Sequence, residues 1–133
     1  MAIEMRIRFP GNKKVSAGFD GFTVMTDQPK DAGGDGSAPA PFDLFLASLG
    51  TCAGIFVLGF CQKRSISTEG LEIRQIMEWN EAKHLVTKIT LKIILPKGFP
   101  ENYRETLIKT AELCTVKRHL HEPPTFEVAT MSD

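Results

Sequence analysis

Pro41-Phe42-Asp43-Leu44-Phe45-Leu46-Ala47-Ser48-Leu49-Gly50-Thr51-Cys52 opens the one long apolar stretch of the chain, which continues through Ala53 to Cys61 and ends in Gln62-Lys63-Arg64. Proline stands where a helix accepts it, in the first turn, and almost no charge follows. The pattern predicts a helix from about Pro41 to Lys63 that is apolar on every side and carries Cys52 near its middle. Such a helix belongs at the centre of an assembly or in a bilayer. The bounding Asp43 and Gln62-Lys63-Arg64, and the amphipathic alternation of the flanking segments, favour the buried centre of a soluble α+β domain. Gly50 and Gly54 lie four apart on one face, next to Ala47. Each costs about 1 kcal/mol of helix propensity against alanine, which close packing against another helix would offset.

Outward from this helix the rhythm changes to period two. Ile3 to Phe9 alternates, Pro10-Gly11-Asn12 breaks it, and Lys14 to Phe19, Asp20-Gly21 and Phe22 to Thr26 complete a three-stranded meander. Asp27 to Ala40, with Gly33-Gly34-Asp35-Gly36 at its centre, is expected to be a mobile surface loop. It lacks the Gly-Lys-Ser/Thr ending of a phosphate loop and follows no buried parallel strand.

On the other side, Glu69 to Asn80 and His84 to Leu95 form a predicted hairpin around Asn80-Glu81-Ala82-Lys83. Leu107, Ile108, Ala111 and Cys114 repeat at helical spacing across Glu101 to Cys114, placing Cys114 in the last turn of a second helix. Val116 to Leu120 either extends that helix or forms a short one of its own. Pro123-Pro124 stops it, and Phe126 to Met131 is expected as a final strand.

With 133 residues, 42% of them apolar, the chain is read as a single domain spanning 1–133. Its 16 Lys and Arg balance its 16 Asp and Glu, so no broad positive field selects nucleic acid or an anionic membrane. The N-terminal Met1-Ala2-Ile3-Glu4-Met5-Arg6 has no continuous apolar core of a secretory signal, and three cysteines suit a reducing compartment. A cytoplasmic location is expected.

Cys52 and Cys114 on separate helical segments suggest redox chemistry, although a cysteine on an apolar helix also fits simple core packing. Cys61, nine residues after Cys52, falls on the opposite side of the same helix and reads as buried filler. His119 and His121 form a His-x-His pair of the kind that can bind zinc or copper. No third ligand stands at fixed spacing, and cations near a helix end suit its dipole. Lys117 and Arg118 could also ease departure of a Cys114 thiolate. No Ser-His-Asp order or glycine elbow points to hydrolysis.

The run Ala38-Pro39-Ala40-Pro41-Phe42-Asp43 through Gly50-Thr51-Cys52, with Glu112-Leu113-Cys114-Thr115-Val116 later, resembles the OsmC/Ohr family, the osmotically inducible and organic hydroperoxide resistance proteins. The resemblance covers nearly the whole chain. It implies an α+β fold in which antiparallel sheets wrap around long central helices in an intertwined homodimer. It also implies a thiol peroxidase acting on organic hydroperoxides, with no resident cofactor. Cys52 would be oxidised to a sulfenic acid, Cys114 would resolve it as a disulfide, and an external dithiol would reset the pair.

Peroxidases of that family carry an arginine in the N-terminal hairpin and a glutamate just after the helix proline. This chain has Phe42 at the glutamate position with Asp43 beside it, and Asn12-Lys13-Lys14 in the hairpin turn. Asp43 and Lys13 are therefore the candidates for activating Cys52, although lysine lacks arginine's planar fork. The departure also opens an alternative: a relative that keeps the dimer and the thiols but binds another small molecule.

Overall fold

The computed structural model describes residues 1–132 and groups them into two compact units, Met1–Ala47 and the chain from Ser48 onward.

In the first unit, strands β1 (Arg6–Gly11), β2 (Lys14–Phe19) and β3 (Phe22–Thr26) form the antiparallel meander in the order β1-β2-β3. Asp20 and Gly21, at φ 47° and 79°, make the tight turn that an Asp-Gly pair favours, since both positions need positive φ. Pro10 does not end β1 as its sequence context suggested. The strand runs on to Gly11, with its register shifted between Arg8 and Gly11. Proline is tolerated there because an edge strand has ladder positions that need no N–H.

The loop after β3 is pinned, in contrast to the expected mobile segment. Asp27 is fully buried and its carboxylate accepts the Ser37 hydroxyl at 2.6 Å, the Ser37 N–H at 3.0 Å and the Gln28 N–H at 2.7 Å. The Ser37 bonds, then the Gln28 N–H, hold this carboxyl far below the ordinary carboxylate range against its desolvation. Lys14 bridges to Asp35, and Asn12 donates to Gly33 O and Asp35. At Gly34 a Cβ would run into the Gln28 backbone, so this folded loop requires glycine at that point.

Helix α1 (Pro41–Lys63) has the predicted bounds. Its opening turns belong to the first unit and the remainder to the second. By length and composition it could cross a membrane, and 28% of its most apolar window is buried within the chain.

In the second unit, β4 (Glu72–Asn80) and β5 (Leu85–Ile94) form the predicted antiparallel hairpin, with His84 at φ 51° closing the turn. A short 3-10 turn (Glu101–Tyr103) leads into α2 (Arg104–Ala111). The core gathers Ala53, Val57, Phe60 and Cys61 of α1 with Leu107 and Ala111 of α2, and Ile73, Leu91 and Ile93 of the hairpin pack against it. Arg64 closes one end, its guanidinium 3.7 Å from the centre of the Phe60 ring.

Three expectations are corrected here, the third only at Gly50. The second helix does not reach Cys114: it stops at Ala111, and a separate helix α3 (Thr115–His121) begins after Cys114, which is its N-cap with extended backbone at φ −70°, ψ 121°. The Phe126–Met131 strand does not form. Phe126, Val128 and Met131 are 87%, 96% and 92% exposed, because a strand needs a neighbouring edge and none pairs with it among the described residues. At Gly50 the space is taken by the Gln75 side chain of β4 and not by a helix, while a Cβ at Gly54 would meet nothing within 4 Å, which leaves that position open to a partner helix.

Candidate functional site

The break between α2 and α3 is what assembles the thiol site. Because the chain turns at Glu112-Leu113, Cys114 is directed inward at 3% exposure and α3 starts against α1. The Cys114 sulfur accepts the Lys117 N–H at 3.4 Å and donates to the Leu49 carbonyl oxygen, 3.9 Å away and one helical turn before Cys52. Cysteine thus does at this cap what serine or threonine commonly does, accepting a backbone donor of the first turn.

Cys52 is half-buried and its thiol is pulled below the ordinary range. The Val116 N–H is the largest cause. Burial opposes it, and the Cys114 side chain, the Thr115 N–H and the Thr115 hydroxyl add to the lowering. Each of these groups can donate to a thiolate, and hydrogen bonds to the charged form favour that form. The structure therefore brings Cys52 and Cys114 near each other, both sulfurs free, where the groups at the start of α3 lower the Cys52 thiol.

Thr115 and Val116 were not singled out by their sequence as donors. Their position immediately after Cys114 was the available signal, and it gained meaning only once Cys114 became a cap instead of a helix interior residue. Cys61 behaves differently: it is fully buried, and desolvation raises its thiol, partly offset by the Arg64 charge.

The other two candidates sit in the first unit. Asp43, in the opening turn of α1, accepts the Ala40 N–H at 3.2 Å, which makes it part of the helix start. Lys13 occupies the β1–β2 turn, where its side chain lies against Gly33. Arg6 on exposed β1 pairs with Glu4 at 3.0 Å. His119 bonds the Thr115 carbonyl through Nδ1 at 2.7 Å, and no three His, Cys, Asp or Glu side chains converge among the described residues to hold a metal.

A family model described as OsmC-like protein matches residues 34–129. A solved structure described as an osmotic stress induced and detoxification response protein from Psychrobacter arcticus 273-4 is similar, at 21% identity and a TM-score of 0.71 over 86% of this chain and 85% of that one. An organic hydroperoxide resistance protein OsmC from Legionella pneumophila is similar at 21% identity and a TM-score of 0.55, over 90% and 89% of the two chains. At these identities the likeness is one of fold. No curated protein matches the chain.

Proposed function

Since the chain belongs to the OsmC-like protein family, we propose that it is a cysteine-based thiol peroxidase that reduces organic hydroperoxides in the cytoplasm, with Cys52 as attacking thiolate and Cys114 as resolving thiol. The observation that carries this reading is that the buried Cys114 sulfur lies 3.9 Å from the Leu49 carbonyl, one turn before Cys52 on the same helix, with both cysteines free and the Cys52 thiol lowered by the start of α3.

In the first step the Cys52 thiolate attacks the terminal oxygen of R–O–OH. The O–O bond breaks, the alkoxide leaves and takes a proton to become the alcohol, and Cys52 keeps the hydroxyl as a sulfenic acid. The Cys114 thiol then attacks the Cys52 sulfur. Its proton joins the departing hydroxide as water, and the S–S bond forms. An external dithiol is oxidised in exchange and restores both thiols.

Adding an organic hydroperoxide to the reduced protein should cost it two hydrogens in mass and yield one Cys52–Cys114 linked peptide in a non-reducing digest. A folded protein whose two cysteines stay reduced under excess peroxide would rule this function out.

The working form is an intertwined homodimer in which α1 is covered by its counterpart. Support comes from Ile55, 59% exposed in the middle of an apolar helix, from the open position at Gly54, and from the unpaired, apolar Phe126–Met131 tail. Apolar groups left in water at this density call for a partner surface. Light scattering should return twice the chain mass at micromolar concentration, and a stable monomer there would count against the intertwined form.

A further inference from the structure

The hairpin outruns the helix packed on it. Strand β5 has 10 residues, which extend roughly 33 Å, whereas α2 has 8, which rise only about 12 Å. Along the uncovered length lies a cavity of about 770 Å³. That is within the range of small-molecule sites, roughly 300–1,000 Å³. Its floor and walls are aliphatic, including Leu49, Ile73, Leu91, Ile93, Leu107 and Ile108.

Its polar groups are unbalanced. Lys88, Arg104 and Lys117 line it against the single acid Glu112, with the His121 ring beside them, and all five are exposed. Arg104 also holds Glu101 at 3.3 Å, and Lys88 stands 4.0 Å from Glu78, so of the lysines and arginine on the wall Lys117 is the one with no ion pair among the described residues. An aliphatic trough with cations at its rim matches one kind of small molecule: an alkyl chain ending in an anion.

We propose that this cavity is a binding site for an amphipathic anion, an aliphatic chain bearing a carboxylate or phosphate head, with the chain against Leu91 and Leu107 and the head at Lys117. The wall reaches Cys114 and does not include Cys52, and binding there does not rest on the peroxidase reading. The second-unit residues alone build it.

Calorimetric titration of the reduced full-length protein with dodecanoate, dodecyl phosphate and dodecanol, each below its micellar concentration, tests this without any peroxide. One molecule of dodecanoate or dodecyl phosphate should bind per chain, and the comparison of the two identifies the preferred head. Dodecanol should bind roughly three- to tenfold more weakly, and Lys117→Glu should weaken the anions by a similar factor while leaving the alcohol unchanged. Ile108→Glu, at an exposed position on the wall, should weaken all three. The proposal is overturned by absence of binding for all three probes, or by equal affinity for acid and alcohol that Lys117→Glu does not change. It is equally overturned if binding appears only on dilution to monomer, because a second copy of the chain would then fill the cavity.

Discussion

Cys52→Ser is expected to lower hydroperoxide consumption on the order of a thousandfold or more, to the background of the reductant alone, while Cys61→Ala leaves it unchanged. Removing the atom that forms the covalent intermediate removes the reaction path itself, so its effect is of the size seen for nucleophile deletions elsewhere. Cys61 shares the helix and the thiol but neither the face nor the environment. It is fully buried, and its desolvated thiol resists ionisation. Cys114→Ser separates the two halves of the cycle. The first equivalent of peroxide should still be consumed, the protein should gain one oxygen on Cys52, and turnover with a bulky dithiol should stall. Peroxide assays combined with intact-mass measurement read all three variants. If Cys114→Ser turns over as the parent does, Cys114 is not the resolving thiol and its place in the cluster is structural.

Much of this arrangement is legible in the order of residues alone. The bounds of α1 follow from a proline that suits a first turn and an apolar run with no internal charge, and the hairpin follows from two β-branched runs around Asn80-Glu81-Ala82-Lys83. Local signals of that kind survive folding because the residues that send them also make the contacts. The stop between α2 and α3 is hidden for a physical reason. Cys114 stands three residues after Ala111, on the same face that a continuous helix would give it, so periodicity cannot distinguish a helix interior from a cap that follows a short turn. The failed strand at Phe126–Met131 has a different cause. Its alternation is real, but pairing depends on a neighbouring edge, which the segment itself does not specify. The site divides in the same way. Both sulfurs can be named from the residue pattern and the family resemblance, whereas the donors around Cys52 depend on the backbone turn at Cys114, which no local pattern announces.

That dependence on backbone donors leads to the last expected result: Thr115→Pro should move the pH midpoint of Cys52 alkylation upward. Thr115 is the first residue of α3, where proline is accepted in a helix, and Cys114 before it already has the extended backbone that a following proline requires. The substitution therefore keeps the fold while deleting both Thr115 donors, the N–H and the hydroxyl, from the Cys52 sulfur. The sign follows from which form is stabilised. Hydrogen bonds to the thiolate lower a thiol's pKa and burial raises it, so taking donors away leaves burial less opposed, and ionisation is delayed to higher pH. Thr115→Val, which removes the hydroxyl alone, should move the midpoint in the same direction by less. Iodoacetamide rates at Cys52, followed by mass spectrometry across pH in a Cys61→Ala background, supply the profile. Lys13→Met and Asp43→Asn belong in the same series, because the family resemblance assigns the activating charges to the hairpin turn and the helix start. If those two variants shift the profile and Thr115→Pro does not, the thiolate is stabilised by side-chain charge and not by the amides that follow Cys114.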